Sequence, residues 1–369
     1  MKKILLLGMG ILLFLNCAEK KKEKVEKKPT DSPLEWLLFN EESSSKHVVL
    51  ISGDEEYRSE EALPQLAKIL AKRHGFKCTV LFAQDPTKPG IINANYVKNI
   101  PGLESLETAD VMVLFTRFRA LPENQMNYID RYLKKGMPVI GIRTATHAFN
   151  FQEDSLSKYR HYGNYYEGEK TAWEDGFGRL VLGENWISHH GKHKYQSTRG
   201  VLSKFGENHP ISNGINSKDI WGPTDVYGVR LPLPGDSKPL VLGEVIQGEQ
   251  PFDENDLFYG MNPTDSIPAT TNEKNELLNN PMMPIAWVKT YQLPGGTEGP
   301  AFTSTIGAAT DLLNEATRRL LVNAVFWAAD LEIPEKADVE IVGDYNPTAF
   351  EFRDDSYWLE KELKIESFQ

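Results

Sequence analysis

Short apolar runs alternate with amphipathic stretches through the first half of the chain. Apolar residues at helical spacing predict a helix that Ser59 caps and Gly75 ends, and another from about 122 to 135. Strands that are apolar throughout and alternate with helices are typical of a parallel sheet covered on both faces. Four such runs predict buried strands at 47–53, 78–82, 110–115 and 136–142.

The second half of the chain is patterned less regularly. Tyr, Trp, His, Gly and Asn are frequent between about 150 and 280, and the polar part near 253–280 is typical of an excursion loop. Two strands at 284–291 and 301–306 then predict a hairpin, followed by a helix from Asp311 or Leu312 to about Ala329. We therefore predict one α/β domain over 46–332 with an aromatic and His-rich insertion, and a charged tail over 333–369.

The N-terminus is typical of an export signal. Two lysines precede an apolar run at 4–15, which is too short to cross a bilayer. Cys17 stands where a bacterial lipoprotein signal places its modified cysteine, although Asn16 replaces the usual small residue. The alternative is an ordinary signal peptide with an incidental cysteine. We predict a signal peptide over 1–17, a tether over 18–45, and a lipid anchor at Cys17 in the bacterial envelope, in the periplasm or at the outer membrane.

Charge is distributed unevenly along the 369 residues. The chain holds 41 Lys+Arg and 52 Asp+Glu, a net charge of −11. The segment 19–28 contributes +3 and the two N-terminal lysines +2, so the rest of the chain carries −16. A body this acidic argues against a nucleic-acid partner, which needs a basic face. Two cysteines exclude a disulfide scaffold, and Cys78 begins a predicted buried strand.

Polar residues follow the predicted strands directly. Ligands in an open α/β sheet bind beyond the carboxyl ends of the strands, so these side chains are candidates for one binding crevice. Arginines there suit a carboxylate, a phosphate or vicinal hydroxyls. In the alternative interpretation, the arginines pair with Asp54, Glu55 or Glu56 and only hold the loops in place. The candidates are Asp54, Arg117, Arg119, Arg143, Thr144, His147 and Asp311.

The turn after the fourth strand excludes one chemistry. Hydrolases and amidotransferases of this architecture place a Ser or Cys nucleophile on a sharp turn after a central strand. The corresponding turn here, 141–146, holds Arg143 at that position, and arginine cannot attack a carbonyl. The chain is therefore not expected to be a glutamine amidotransferase.

Three of the eight histidines lie within the segment 186–193. We predict that Trp186, His189 and His193 contact a ligand, with no metal or other cofactor. In a lower-ranked alternative, His189, His190 and His193 hold a metal ion, a site that His161, His209 or Asp225 would complete. Loop histidines without a role remain a third interpretation. Nearby aromatic residues suit either stacking against a sugar or a second small core.

Several segments resemble the trehalose-utilisation (ThuA-like) family. The stretch 110–149 resembles the N-terminal half of that family, 284–291 its late strand, and 302–307 with 318–328 its closing strand and helix. The resemblance implies a flavodoxin-like, class I glutamine amidotransferase-like, three-layer parallel sheet with insertions. It also implies a role in carbohydrate use, with trehalose or keto-sugar derivatives as substrates, but no settled reaction. Residues 186–193 with 143–149 are similar to a branch in secreted or envelope proteins.

Two functions remain open from the sequence. In the first, an enzyme uses His147 or His190 as general acid–base, while Arg117 and Arg143 hold substrate oxygens and Asp54 or Asp311 orients a histidine or hydroxyl. A metal-dependent hydrolase is its variant. In the second, a non-catalytic lipoprotein binds a glycan or a protein partner in the same crevice. We predict a small carbohydrate as ligand and the membrane as a partner through Cys17.

Overall fold

A mixed β-sheet runs through the part of the chain that the computed structural model describes, residues 33–40 and 46–369. Cys17, the predicted signal peptide and most of the predicted tether lie outside these residues. The described elements belong to one compact unit, Leu34–Gln369. Its ten strands are β1 (Trp36–Phe39), β2 (His47–Gly53), β3 (Lys77–Phe82), β4 (Val111–Thr116), β5 (Val139–Ile142), β6 (Gln196–Leu202), β7 (Trp221–Gly222), β8 (Lys238–Gln247), β9 (Met283–Gln292) and β10 (Glu298–Ser304). Its α-helices are α1 (Ser59–His74), α2 (Glu123–Lys134), α3 (Glu315–Ala328) and α4 (Asp355–Lys361).

Five strands form a parallel core in the middle of this sheet. They lie in the order β3-β2-β4-β5-β10, which is 2-1-3-4-5 by chain position and places a topological switch point between β2 and β4. The remaining strands are antiparallel: β1 pairs with β3, and β9, β8, β6 and β7 extend the sheet beyond β10. The predicted parallel sheet is thus correct for half of the strands. The tight turn between β9 and β10 makes their pairing antiparallel.

Helices cover both faces of the parallel core, as the apolar runs predict. Alternate residues of β2 point to opposite faces, so Val48 packs with α1 and α3 while Val49 packs with α2. Helix α1 begins at Ser59 and ends before Gly75, which adopts φ 69°. The Ser59 hydroxyl bonds to Ser52 and to the amide of Asp54 instead of capping the helix. The fold is therefore α/β with a mixed sheet.

Three segments differ from the sequence prediction in ways that matter for the site. Residues 36–39, assigned above to the tether, form the edge strand β1. The helix predicted from Asp311 is split into a 3-10 turn at Asp311–Leu313 and α3, which Asn314 caps through the Thr317 amide. The C-terminal tail packs on the body through buried Phe350 and Trp358.

Within the described ranges, no helix is long and apolar enough to cross a membrane.

Candidate functional site

A small crevice opens at the carboxyl edge of the parallel core. The loops after β2, β4 and β5 meet there with two segments of the insertion and with the C-terminal tail. Its volume is about 100 Å³. The strands bring together residues far apart in the sequence, as expected for side chains that follow the carboxyl ends of parallel strands. The crevice is lined by Glu56, Arg117, His147, Trp186, His189, Tyr227 and Phe352.

Arg143 lies beneath this crevice rather than in its wall. Its backbone adopts φ 48°, so the sharp turn typical of a nucleophile position is present with arginine on it. The guanidinium is fully buried and lies between the rings of Tyr57 and Tyr227, at 4.3 and 4.1 Å from their centroids. Its Nη1 donates to the carbonyls of Asp225 and Thr305 at 2.8 and 2.5 Å. The side chain is thus enclosed by protein groups.

Asp225 joins Arg143 to the histidine segment. Its fully buried carboxylate accepts from Arg143 Nη2 at 3.1 Å, from His189 Nδ1 at 2.8 Å and from His193 Nδ1 at 2.9 Å. Burial alone would raise the pKa of Asp225, but the charge and hydrogen bonds of His189, with those of His193 and Arg143, hold it far below its usual value. We call Arg143, Asp225, His189 and His193 the charge network.

His189 belongs to both the charge network and the crevice wall. Burial lowers the pKa of its ring, but the Asp225 charge and hydrogen bond outweigh burial, so the pKa of His189 lies above its usual value. The Asp225 carboxylate is ionised and can only accept hydrogen bonds, so each histidine Nδ1 carries a proton. His193 Nε2 in turn lies 3.5 Å from a carboxylate oxygen of Glu56.

Three of these residues lie close enough together to be considered as metal ligands. One ligand atom each of His189, His193 and Asp225 lies within 4.8 Å of the other two. However, the Asp225 oxygens already accept from Arg143 and from both protonated Nδ1 atoms. A cation there would face the buried guanidinium, so these residues fit a metal ion poorly. His190 is not in this group: its Nε2 is buried and hydrogen-bonds to no described residue.

The two arginines after β4 differ in their exposure. Arg119 is fully buried, and it donates to Glu55 at 2.6 Å and to the carbonyl of Ala94 at 2.7 Å. Arg117 also pairs with Glu55 but keeps 21% of its side chain exposed. Its guanidinium covers the rings of Phe118 and Phe352 at 4.6 and 4.8 Å. The pairing interpretation holds for both arginines, while only Arg117 lines the crevice.

Three other candidates hold loops in place. One Asp54 oxygen accepts from Thr144 Oγ1 at 2.7 Å, and the other accepts from the backbone amides of Glu56 and Tyr57, which ties the loop after β2 to the turn after β5. Asp311 accepts from Thr224 and from the amides after β10. Asp54, Thr144 and Asp311 are fully buried and do not line the crevice.

His147 presents an imidazole to the crevice. Its Nδ1 lies 3.2 Å from Thr146 Oγ1, while Nε2 hydrogen-bonds to none of the described residues. Burial lowers the pKa of His147 well below its usual value, and Arg117 and Arg143 lower it further. The ring is therefore neutral near pH 7, and Trp186 lies against it with 5.5 Å between the ring centroids.

Glu56 lines the same crevice, and its pKa is raised, whereas that of His147 is lowered. Burial raises the pKa of its carboxyl, although His193 and Arg117 partly oppose the change. A neutral imidazole and a carboxyl whose pKa is raised thus share one small space. Paired shifts of this kind mark acid–base sites.

Phe118 packs against the lining residue His147 and has a strained backbone. Its φ is 50°, a conformation that costs a bulky residue about 1–3 kcal/mol. The amide of Phe118 donates to the carbonyl of His147 at 2.9 Å, which fixes the turn. The Phe118 ring lies 4.9 Å from His147 and 5.8 Å from Tyr165, measured between centroids.

Sequence reasoning missed Glu56, Tyr227 and Phe352 as lining residues. Glu56 follows β2 by three residues, so the strand-end argument could have found it. Tyr227 and Phe352 come from irregular segments whose position depends on tertiary packing. The aromatic insertion itself contains a buried core of Tyr162, Trp173 and Phe177, while Tyr165 stays exposed.

The likeness of this chain to known proteins is distant. No family model matches, and no curated protein matches significantly. A solved structure from Bacteroides uniformis, provisionally described as ThuA-like, covers 78% of this chain and 93% of its own at 14% identity and a TM-score of 0.45. Another from Parabacteroides merdae, described in the same way, covers 84% and 97% at 15% identity and a TM-score of 0.44. At this distance neither family membership nor an activity follows.

Proposed function

We propose that this chain binds a sugar or keto-sugar ring in the crevice and catalyses proton transfer on it. His147 Nε2 takes a proton from the ligand, from a hydroxyl or from the carbon beside a keto group. The Glu56 carboxyl donates a proton to a ligand oxygen, and both groups exchange protons with solvent afterwards. The observation that carries this proposal is the pair His147 and Glu56 in one aromatic-walled crevice.

The chemistry of the wall supports a hydroxylated ligand. Trp186 and Tyr227 line the crevice, and aromatic rings can stack against the C–H faces of sugars. Arg117 supplies a partly exposed guanidinium that can hold hydroxyl or keto oxygens. The volume of about 100 Å³ lies below the usual range of drug-sized ligand pockets, so the crevice encloses only part of one sugar ring.

We also propose that this chain is a member of the ThuA-like family. That family has a flavodoxin-like, class I glutamine amidotransferase-like fold and is linked to the use of trehalose or keto sugars. The strand order 2-1-3-4-5 with helices on both faces supports the fold. The proposal also includes an envelope location through lipidated Cys17, supported by the sequence of the first 17 residues. Labelling with a fatty-acid analogue tests the anchor: the native chain should be labelled, and Cys17→Ala should not.

A turnover screen tests the function directly. The full chain is incubated with trehalose, its keto derivatives, other disaccharides and glucose, and products are followed by NMR. The variant His147→Asn keeps an acceptor near Thr146 but removes Nε2. We expect kcat/KM to fall by about 10²–10⁴ with little change in sugar affinity, because general acid–base catalysis contributes that much.

The matched control is His209→Asn. His209 lies outside the crevice, and its Nδ1 accepts from the Ile211 amide, which asparagine can also do. This variant should keep full activity. If the native chain binds a sugar but converts none, the catalytic proposal fails and the non-catalytic glycan-binding function replaces it.

A further inference from the structure

A second, larger cavity lies near the turn that precedes β10, whereas the crevice lies beyond the carboxyl ends of the strands. Its volume is about 430 Å³, and it shares no lining residue with the crevice. A volume of this size falls within the usual range of small-molecule pockets. We call it the lysine cavity and define it by the lining residues that carry the argument. They are Asp130, Lys134, His161, Lys170, Trp173 and Pro294.

Three segments of the body form the walls of the lysine cavity. Lys134 is the last residue of α2, Pro294 lies in the turn between β9 and β10, and the Lys134 carbonyl accepts from the Thr297 amide of that turn at 2.9 Å. The third segment belongs to the insertion. Its Trp173 is buried and packs against Tyr162, with 4.4 Å between the ring centroids. The walls are therefore held by hydrogen bonds and by core packing.

Lys170 brings a positive charge to this cavity without an acidic partner. Its Nζ donates to Nδ1 of His161 at 3.1 Å, and no carboxylate of the described residues pairs with it. Burial, together with the charges of Lys170 and Lys134, lowers the pKa of His161 to about 4, although Asp130 partly opposes the change. The buried imidazole is thus neutral near pH 7, and it leaves the charge of the ammonium group uncompensated.

Hydrogen-bond donors outnumber free acceptors in the lining. One oxygen of Asp130 already accepts from Lys134 Nζ and the other from the Tyr162 hydroxyl, both at 2.9 Å. An ammonium group carries three N–H donors, so Lys134 and Lys170 keep donors for a ligand. The other lining carboxylate, that of Glu169, is exposed to solvent. The lining therefore favours a ligand that accepts hydrogen bonds and carries negative charge.

We propose that the lysine cavity binds a small organic anion, a carboxylate attached to an aromatic ring. Lys170 and Lys134 hold the carboxylate, and the apolar lining formed by Trp173, Ala172 and Pro294 packs against the ring. The site is independent of the proposed function, because neither of the two proton-transfer residues lines it.

NMR titrations of the full chain in detergent test this site with three probes. Benzoate carries both a ring and a carboxylate, benzamide has the ring without the charge, and acetate has the charge without the ring. Lys170→Met removes the ammonium group at similar length, and Ala172→Trp fills the cavity from its exposed rim. Lys218→Met is the matched control, because Lys218 is exposed and pairs with Glu244 outside the cavity.

We expect benzoate to bind the native chain about tenfold more tightly than benzamide or acetate, because a charge-assisted hydrogen bond and apolar burial act together. Lys170→Met and Ala172→Trp should each weaken benzoate binding by about tenfold. Lys218→Met should bind benzoate as the native chain does.

Arg117→Met distinguishes this site from the crevice, where the partly exposed guanidinium could also hold a carboxylate. This variant should bind benzoate with unchanged affinity. The proposal fails if benzoate binds no more tightly than benzamide, if its affinity survives in Lys170→Met or Ala172→Trp, or if it falls in Arg117→Met. The proposed function of the crevice stands in each of these cases, since turnover of sugars is measured separately.

Discussion

The charge network and the crevice wall share His189 but differ in how fully their polar groups are hydrogen-bonded. In the network, every oxygen of Asp225 has a donor, and Arg143 is enclosed between two tyrosine rings. In the wall, His147 keeps Nε2 without a described partner, and Glu56 has a carboxyl whose pKa is raised by burial. The network can hold the loops in position, while only the wall has groups left for a ligand.

The three arginines at this edge show the same contrast. Arg119 and Arg143 are fully buried and have protein partners, whereas Arg117 keeps a fifth of its side chain exposed. Residue type and position alone give all three the same candidate role. Exposure separates them, because a guanidinium that is already enclosed cannot reach a substrate.

The largest expected effect comes from breaking the charge network. Asp225→Asn removes the carboxylate and leaves the Arg143 guanidinium buried without its counter-charge. We expect the free energy of unfolding to fall by about 3–5 kcal/mol, since breaking a buried ion pair on one side costs that much. Urea unfolding followed by tryptophan fluorescence measures the change.

A surface carboxylate provides the control for that loss. Asp338 lies 3.7 Å from Arg73 with half of its side chain exposed. Asp338→Asn should lower the free energy of unfolding by less than about 1 kcal/mol, as exposed pairs do. Equal losses in the two variants would mean that the network does not stabilise the fold more than the surface does.

The pH dependence of turnover tests the proposed roles of His147 and Glu56 in the crevice wall. His147 must be neutral to accept a proton, so activity should fall on acidification only below the lowered pKa of His147, which lies under 6.5. Glu56 must be protonated to donate, so activity should fall as the pH rises through the raised pKa of Glu56, above 4.5. We expect a bell-shaped profile of kcat/KM with limbs of about tenfold per pH unit.

Glu56→Gln identifies the alkaline limb of that profile. Glutamine can still donate a hydrogen bond but cannot titrate, so the alkaline limb should disappear while the maximum rate drops. Glu254→Gln, on the exposed loop after β8, should leave the profile unchanged. An alkaline limb that persists in Glu56→Gln would assign it to another group and remove Glu56 from the mechanism.

Much of the parallel core was predictable because its signals lie within short stretches of sequence. Runs such as that of β2 are apolar at every position, and Gly75 marks a helix end by its backbone freedom. The carboxyl edge of the parallel strands, where the sequence places the candidate residues, is also the edge where the crevice opens. The candidates there include Arg117 and His147, which line the crevice, together with Asp54 and Arg119, which do not.

The remaining parts of the site depend on contacts that no local pattern encodes. Tyr227 and Phe352 reach the crevice only because the insertion and the C-terminal tail pack on the body. The role of Asp225 depends on three donors from two separate segments, Arg143 after β5 and the two histidines of 186–193. His189 and His190 are neighbours in sequence, yet only His189 lines the crevice, because adjacent residues of an extended segment point to opposite sides.

A smaller effect follows from the proton on His189. Because the pKa of His189 is raised in the folded chain, its proton stabilises the fold below pH 6.5, and that contribution is lost as the pH rises through the folded pKa. We expect unfolding free energy to decline from pH 6 to pH 9. The decline should be modest, since about a third of the side chain is exposed and solvent screens its charge.

His189→Asn separates this proton from the hydrogen bond. Asparagine can still donate to Asp225 but does not titrate, so the decline between pH 6 and pH 9 should be reduced. His209→Asn is the control, because burial lowers the pKa of His209 and its contribution changes in the opposite direction. An unchanged decline in His189→Asn would mean that the histidine is neutral in the folded chain.

We expect the removal of metal ions to have the smallest effect. It tests whether the groups of the charge network satisfy one another without a bound ion. Both Nδ1 atoms donate hydrogen bonds to Asp225, and Arg143 already neutralises that carboxylate. Dialysis against a chelator should therefore leave turnover unchanged, and elemental analysis should find no stoichiometric Zn, Mn or Fe. One ion per chain that His193→Ala releases and His190→Ala retains would instead make the network a metal centre, with Asp225 as ligand rather than as hydrogen-bond acceptor.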